Sequence, residues 1–244
     1  MSSLYLDEAL DLADVATGAI VVLEGEEARH AVTVARVRVG ERVAIGDGRG
    51  RIVRGAVTAA EPRRLELEVD EVQVDEASAP RITLVQALAK GDRDELAVQA
   101  ATELGVDRIV PWAAARSVSR WEGAKAEKGR ARWATIVREA VKQSIRAWVP
   151  GVDAVATTAQ LPARFEGERM LLLEPTATRP LSGIGPDGRD LVLVVGPEGG
   201  IDPRELERLE AAGAERVRLG SSVLRTSTAG PAAIAVLSAS LGRW

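Results

Sequence analysis

The chain has 244 residues, of which 46% are hydrophobic, and a formal net charge of -4 at neutral pH. That length suffices for one large or two modest domains with their own hydrophobic cores. The absence of cysteine excludes disulfides, thiolate nucleophiles and cysteine-ligated zinc, and a single histidine argues against histidine-rich metal sites and a Ser-His-Asp triad. We therefore expect a protein that uses no metal.

The N-terminal segment MSSLYLDEALDLADV is acidic and lacks the basic, apolar pattern of a signal sequence. No apolar run approaches the roughly 20 residues of a membrane span. From these two features we expect a cytoplasmic protein with no membrane association.

Positive charge is concentrated in two stretches. Residues 28–64 carry nine arginines and three acids, and residues 116–146 carry nine lysines and arginines and three acids, whereas acids cluster at 7–27 and 66–76. Local basic patches rather than net charge attract phosphate. Each stretch alone is explained equally well as a solvated face, but two with the same balance favour a polyanionic partner.

The first 74 residues show the pattern of short strands separated by turns. Apolar or alternating segments predict strands at 19–23, 42–45, 51–59 and 64–69, and a short helix is predicted at 26–34. Such a series predicts a small β-barrel domain over residues 1–74. The segment DEASAP at 75–80 is the predicted linker.

From Arg81 onward, strands alternate with helices, which predicts a parallel sheet with helices on both faces in a domain of residues 81–244. In the helix predicted at 92–104, Leu96, Ala97, Ala100 and Leu104 are expected to form the buried face. Asp202-Pro203 with Glu205 predicts a capping box that opens a later helix, which ends at Gly213. The remaining predicted elements are strands at 82–88, 108–112, 170–173 and 191–195 and a long basic helix at 124–145.

Two loops carry the strongest functional signal. LVLVVGPEGG at 191–200 is a buried strand followed by three glycines in five residues, which lets the backbone turn sharply and approach a ligand. LGSSVLRTSTAG at 219–230 repeats the design, with a strand at 216–219, a loop of small residues and a helix opened by Thr226, Ser227 or Thr228. Loops at the carboxyl ends of neighbouring strands form a ligand-binding crevice. Neither loop has the Gly-Lys-Ser/Thr of a P-loop or the G-x-G-x-x-G of a dinucleotide site, and GDGRG at 46–50 has the wrong spacing.

The pair GPEGG and LGSSVLRT resembles motifs two and three of the SPOUT methyltransferases, and specifically the 16S rRNA uridine-N3 methyltransferases (the RsmE family). The resemblance covers nearly the whole chain. Arg29-His30, Gly40 and Gly46-Asp47-Gly48 resemble the family's RNA-binding barrel, residues 84–117 the start of its catalytic domain, and KQSIR at 142–146 its basic helix end. It implies an α/β protein: a C-terminal SPOUT-type trefoil knot with a parallel sheet, and a small N-terminal PUA-like β-barrel.

The same resemblance implies S-adenosylmethionine as cofactor, 16S rRNA of the small ribosomal subunit as partner, and a homodimer. The small, apolar segment 229–239 fits a helix buried on several sides, either within one subunit or against a second copy. The implied cofactor-binding residues are the strand ends and the two loops: Leu173, Glu174, Pro175, Val195, Gly196, Pro197, Glu198, Gly199, Gly200, Leu219, Gly220, Val223, Leu224 and Thr226.

Arg225 and Glu198 are the candidate catalytic residues. Arg225 precedes a helix N-terminus and would stabilise the uracil anion, or else pair with an acid such as Glu198. Glu198 has two possible roles: it caps an amide in its turn, or it faces the substrate. The proton of uracil N3 would be transferred either to water or to Glu198. The candidate RNA-binding residues implied by the resemblance and the basic patches are Arg29, His30, Arg36, Arg116, Lys142, Gln143 and Arg146.

The chain departs from the family at Ser222, where arginine is common, and at Ser227 and Lys142, where glutamate is common. A mechanism that needs a glutamate after LRT is therefore unsupported. The alternatives are a 2′-O-ribose methyltransferase of rRNA or tRNA and a non-catalytic RNA-binding adaptor. A dinucleotide-dependent oxidoreductase is disfavoured by its missing fingerprint.

Overall fold

The computed structural model describes residues 3–244, which group into two compact units. The first unit contains the residues up to Ala77 together with Val141–Val149, and the second contains Ser78–Ala140 and Pro150–Trp244. The predicted division at 75–80 remains a prediction. The grouping of Val141–Val149 with the first unit was not foreseen, because contacts between distant segments leave no local pattern.

The first unit is built on a five-stranded sheet in the order β1-β3-β4-β5-β2, in which only the β1–β3 pair is parallel. Apolar residues alternate along β5 and bury Leu65, Leu67 and Val69 in the core of this unit. A π-helical turn, His30–Val34, directly follows the short helix at Gly25–Arg29. The elements are β1 (Leu4–Leu6), β2 (Ile20–Glu24), α1 (Gly25–Arg29), β3 (Arg42–Gly46), β4 (Arg51–Glu61) and β5 (Arg64–Val74).

Contacts with residues before position 77 hold the segment Val141–Val149 in the first unit. Lys142 pairs with Glu27 at 3.1 Å, and both side chains are largely buried. Trp148 donates its indole N–H to the carbonyl of Asp75 at 2.9 Å. A Cβ on Gly50 would lie 2.7 Å from the Trp148 ring, so only glycine lets the indole approach the backbone here.

The second unit is a seven-stranded parallel sheet in the order β12-β10-β11-β6-β7-β8, with β9 also paired to β7. This confirms the predicted α/β class and parallel sheet, whereas the trefoil knot remains a prediction. The strands are β6 (Ile82–Ala87), β7 (Arg108–Ala113), β8 (Gly151–Val152), β9 (Ala156–Thr157), β10 (Arg169–Leu173), β11 (Leu191–Val195) and β12 (Glu215–Val217). The helices are α2 (Arg93–Glu103), α3 (Ala124–Ser144, of which Val141–Ser144 belong to the first unit), α4 (Leu161–Arg164), α5 (Pro203–Ala211) and α6 (Thr226–Ser240).

Helices cover the sheet of the second unit on both faces. On one face α4 and α5 bury Leu161, Leu206 and Leu209 against Leu172 and Val194. On the other, α6 comes so close to β6 that a Cβ on Gly230 would lie 3.0 Å from Leu84 Cδ1. The parallel strands therefore end at one edge, between two layers of helices.

The predicted buried face of α2 is wrong for three of its four residues, since only Ala97 is buried and Ala100 and Leu104 are half-buried. Leu96 is 57% exposed, and the helix buries Asp94, Ala97, Val98, Ala101 and Thr102. These positions follow the 3.6-residue period, but the stripe is rotated from the one expected and includes Asp94, whose carboxylate accepts the backbone N–H of Ala89.

Candidate active site

The carboxyl ends of β10, β11 and β12 form the floor of a cavity of about 410 Å³. Their last residues, Leu173, Val195 and Val217, are aligned in the sheet register, and all three line the cavity. Because parallel strands end at the same edge, the loops that follow them converge here. The volume is that of a pocket for a small organic molecule.

The two loops singled out in the sequence form most of the cavity wall. Every predicted cofactor-binding residue except Gly199 lines it, together with the candidate catalytic residues Glu198 and Arg225. Their assignment as cofactor-binding residues stays a prediction. The lining residues that were not predicted are Arg93, Ile201, Val217, Arg218, Ser222 and Ala229. Most of these lie inside or beside the loop segments, but Arg93 comes from α2 and no local pattern connects it to the site.

The glycines of the GPEGG loop have different roles. Gly200 has a φ of +73°, which favours glycine, and its N–H donates to the carbonyl of Pro197 at 2.9 Å. A Cβ on Gly196 would lie 2.7 Å from Ile201 Cγ1. Gly199 is not among the lining residues, and its carbonyl instead accepts a hydrogen bond from Arg116 at 3.1 Å. Gly196 and Gly200 therefore shape the turn, whereas Gly199 anchors its outer side.

Glu198 is held by the start of the second domain's first helix. Its Oε1 accepts the Lys90 backbone N–H at 3.2 Å and the Arg93 guanidinium at 3.0 Å. Partial burial opposes ionisation of the Glu198 carboxyl group. Hydrogen bonds from the backbone N–H groups of Glu198 and Lys90, together with the Arg93 guanidinium, outweigh this burial and hold the pKa of Glu198 below its usual range. Glu198 is therefore an ionised loop anchor and a weak base.

Arg225 is exposed on the wall of the cavity, where it is the N-cap residue of α6. Its carbonyl accepts the N–H groups of Thr228 and Ala229 at 2.8 and 2.9 Å, so its backbone is fixed by the helix. Within residues 3–244, no carboxylate forms an ion pair with its side chain, and the alternative pairing with Glu198 does not occur. Because the positive end of the helix dipole adds to the charge of this exposed arginine, the site favours an anionic group of a ligand or substrate.

The candidate RNA-binding residues differ in how accessible their charge is. In the first unit, Arg36 is exposed, Arg29 pairs with Glu26 at 2.8 Å, and His30 meets the Tyr5 ring edge-on. Lys142 is bound to Glu27 with 11% of its side chain exposed, so it offers little charge to a polyanion. Gln143 is exposed and Arg146 is half-buried.

Arg116 in the second unit has a structural role that the sequence did not indicate. Besides its bond to Gly199, it lies 3.4 Å from the Asp202 carboxylate, and it thereby joins its own segment to the GPEGG loop. Its side chain is 45% exposed. Any RNA contact by Arg116 would therefore be coupled to the shape of the loop.

Across residues 3–244, no three acidic or histidine side chains converge as metal ligands. In the same part of the chain, no helix is long and apolar enough to cross a bilayer.

Comparison with known proteins gives a consistent result over both units. Residues 76–238 match the family model described as an RNA methyltransferase domain, and residues 23–70 match an RNA methyltransferase PUA domain. The chain is 44% identical to the ribosomal RNA small subunit methyltransferase E of Mycobacterium bovis over 93% of this chain and 89% of that protein. Its counterpart in Bacillus subtilis is 31% identical, with 88% of each chain covered.

A solved structure agrees with these relatives. The fold is similar to that of the ribosomal RNA small subunit methyltransferase E from Neisseria gonorrhoeae bound to S-adenosyl methionine. The TM-score is 0.87 and the identity 30%, with 99% of this chain and 98% of that chain covered.

Proposed function

Since this chain belongs to the ribosomal RNA small subunit methyltransferase E family, we propose that it transfers a methyl group from S-adenosylmethionine to N3 of a uridine in 16S rRNA. The single observation that carries the proposal is the cavity itself, which is walled by the GPEGG and LGSSVLRT loops. The Neisseria relative of the same fold was crystallised with this cofactor.

The cofactor would be held mainly by backbone groups and apolar side chains. The last residues of the three strands give the pocket an apolar floor, and Leu219 and Leu224 lie on its wall. Gly196 and Gly220 bring backbone close to the ligand without a side chain between. Such a lining suits an adenosine group, whose polar edge needs only a few well-placed partners.

When bound, S-adenosylmethionine supplies an electrophilic methyl group on a sulfonium sulfur, so the chain has to orient the uracil and handle one proton. Arg225 places a positive charge on the cavity wall, where it would stabilise the anion that develops as uracil N3 loses its proton. Glu198 is a weak base because its pKa is lowered, so water is the proposed acceptor of the N3 proton. The proposed role of Glu198 is structural: it binds Arg93 and so holds the loop in place. Close approach of N3 to the methyl carbon supplies much of the remaining acceleration.

The proposed substrate is 16S rRNA of the small ribosomal subunit, and with it we propose that the protein acts in the cytoplasm. The first unit, which contains the match to the RNA methyltransferase PUA domain, would contact the RNA. Among the candidate contacts in this unit, Arg29, His30, Arg36 and Gln143 are exposed, and Arg29 is paired with Glu26.

We expect the active form to be a homodimer. Beside the cavity, Val223 is 77% exposed and Leu224 36% exposed. On α6, Ala229, Ala232 and Val236 are only half-buried and recur at helical spacing, which makes an apolar stripe on one side of the helix. A second copy of the chain would cover both features.

The decisive experiment is mass spectrometry of 16S rRNA from a deletion strain complemented with the wild-type gene or with Arg225→Ala. We expect N3-methyluridine to disappear on deletion and to return with the wild type. With purified subunits, Arg225→Ala should lower kcat about 100-fold while the Kd for S-adenosylmethionine changes little. Arg204→Ala, an exposed arginine on α5 outside the cavity lining, is the control.

Other outcomes identify the alternatives. A methyl group on a ribose 2′-oxygen would indicate the ribose methyltransferase. Failure of the wild-type protein to bind S-adenosylmethionine in calorimetry would indicate the non-catalytic adaptor.

A further inference from the structure

Gln86 is a polar residue in an otherwise apolar row of the parallel sheet. Val217, Leu173 and Val195 are the last residues of β12, β10 and β11, and the register aligns them in one row across the sheet. Gln86 of β6 is the next residue in this row, beside Val195. Those three line the cavity, whereas Gln86 is completely buried and is not among the lining residues. Since a buried carboxamide is costly unless it is hydrogen-bonded, its partners indicate what it does.

The hydrogen bonds of Gln86 form a directed relay. Gln86 Nε2 lies 2.9 Å from Thr226 Oγ1 and 3.2 Å from the carbonyl of Ala87, and Thr226 Oγ1 lies 2.8 Å from the carbonyl of Gly196. A carbonyl can only accept, so the Thr226 hydroxyl donates its one proton to Gly196. The Thr226 oxygen must then accept a hydrogen bond from Gln86. An aliphatic side chain at position 86 cannot donate this hydrogen bond.

The relay joins three elements of the site. It connects β6 to the first residue of α6 and to the first residue of the GPEGG loop. Gly196 and Thr226 both line the cavity, and Thr226 directly follows Arg225. Through Thr226, Gln86 is therefore linked to the Gly196 carbonyl and to the first residue of α6, which directly follows Arg225.

One further feature argues against a purely space-filling role. Gln86 Oε1 is buried and has no hydrogen-bond partner among the described residues. An unpaired buried acceptor is unfavourable, and an aliphatic side chain would fill this position without it. The carboxamide therefore carries a cost, which its two N–H contacts offset.

We infer that Gln86 is a positioning residue of the cofactor pocket, acting through Thr226 on the Gly196 carbonyl and on the start of α6. The inference rests on the proposed function, because the loops it orders are those proposed to hold S-adenosylmethionine.

The first test is calorimetry with S-adenosylmethionine on Gln86→Met, which keeps the volume without the N–H, and on Thr226→Val, which keeps the shape without the hydroxyl. Each should weaken binding about three- to tenfold, since a net hydrogen bond is worth about 1 kcal/mol. Thr226→Ser should restore near wild-type affinity. The double variant should bind no more weakly than the weaker single one, because both break the same relay.

The matched control is Thr102→Val, which removes a buried hydroxyl that donates to the Val98 carbonyl at 2.8 Å in α2, away from the cavity lining. It should lower the melting temperature and leave cofactor affinity unchanged. Equal affinity of Gln86→Met and wild type, or equal weakening in Thr102→Val, would overturn the inference.

Hydrogen exchange in the free protein tests the relay without any cofactor. Amides of residues 196–201 and 226–229 should exchange faster in Gln86→Met and Thr226→Val, and not in Thr102→Val. Unchanged exchange there overturns the relay. If wild-type protein fails to bind S-adenosylmethionine, the proposed function fails, while the exchange result still decides the role of Gln86.

Discussion

Gly196 and Gly199 belong to the same loop, but their α-carbons face different surroundings. Gly196 faces the Ile201 side chain at a distance that excludes a methyl group, and Gly199 faces the aliphatic part of Arg116 at an ordinary contact distance of 3.6 Å. The presence of three glycines in the sequence therefore does not mean three equal requirements. At the scale of single residues, the space around each Cα decides the outcome.

Gly196→Ala should disrupt the loop and reduce S-adenosylmethionine affinity at least tenfold, because its Cβ would collide with Ile201. Gly199→Ala has room for its Cβ and serves as the matched control, with affinity close to that of the wild type. Calorimetry on both variants measures the difference. If both lose affinity equally, the loop requires glycine for a reason other than space.

The Arg93–Glu198 pair should make stability depend on pH. The pKa of Glu198 is lowered in the folded protein, so its contribution is present above the ordinary pKa of glutamate and is lost as the pH falls through the lowered value. Arg93→Ala should therefore destabilise the protein at roughly pH 7 and have a smaller effect below roughly pH 4. Urea unfolding at both pH values, with Arg204→Ala as control, measures this. A pH-independent difference would contradict the assigned role of Arg93.

The N-terminus of α5 shows how one element supports the site. The Asp202 side chain accepts the Arg204 N–H at 3.0 Å, and Glu205 accepts the Asp202 N–H, which confirms the capping box expected from the sequence. Glu205 also accepts the Ala115 N–H at 2.9 Å and the Thr158 hydroxyl. The first turn of this helix thus holds the segment that carries Arg116 against the GPEGG loop.

Asp202→Ala should cost about 1 kcal/mol of unfolding free energy, because it removes the helix cap. Asp202→Asn keeps an acceptor for the Arg204 N–H but loses the ion pair with Arg116, so most of the stability should remain. Chemical denaturation compares the two variants. Equal losses would mean that the charge at Asp202, rather than its cap, stabilises the helix.

At the scale of the whole molecule, a net charge of -4 is compatible with RNA as the proposed substrate because phosphate is attracted by local exposed cations rather than by the net charge, and many arginines are already paired with acids. In the first unit, Arg42 pairs with Asp70, Arg54 with Glu71, and Arg64 with Glu24 and Glu66. Exposed arginines outside such pairs, Arg36 among them, are the ones that can meet phosphate.

Arg36→Glu should weaken RNA binding and reduce the slope of log K against log salt by about 1, with unchanged affinity for S-adenosylmethionine. The control is Arg42→Gln combined with Asp70→Asn, which removes an ion pair without changing the net charge. Filter binding at several salt concentrations gives both slopes. Wild-type affinity and slope in Arg36→Glu would show that this face is only solvated.

Val223→Asp should convert the proposed dimer into a monomer, because a carboxylate would be buried in the apolar contact beside the cavity. Light scattering at micromolar concentration measures the mass. Val39→Asp changes another exposed valine, in the first unit, and should leave the dimer intact. A monomeric wild type with full methylation activity would refute the dimer.

Local sequence patterns were sufficient for most elements of the fold. Continuous apolar runs predicted β10 and β11, strict alternation predicted β5, and Asp202 with Glu205 predicted the start of α5. The strands β1, β8 and β9 and the helix α4 were not predicted, because segments this short establish no period. The equally short β12 was predicted, at 216–219, only because it precedes the second loop. The two glycine loops were found because glycine and small residues directly after a buried strand are a local signal.

Long-range contacts were decided only by the tertiary structure. The sequence did not reveal that Lys142 is neutralised by Glu27, that Arg93 holds Glu198, or that Arg116 is tied to Gly199. Nor did it reveal that Gln86, inside an apparently apolar strand, reaches Thr226. Secondary structure depends on neighbours along the chain, which the sequence lists in order, whereas ion pairs and buried hydrogen bonds depend on neighbours in space, which exist only once the sheet has brought its strand ends together.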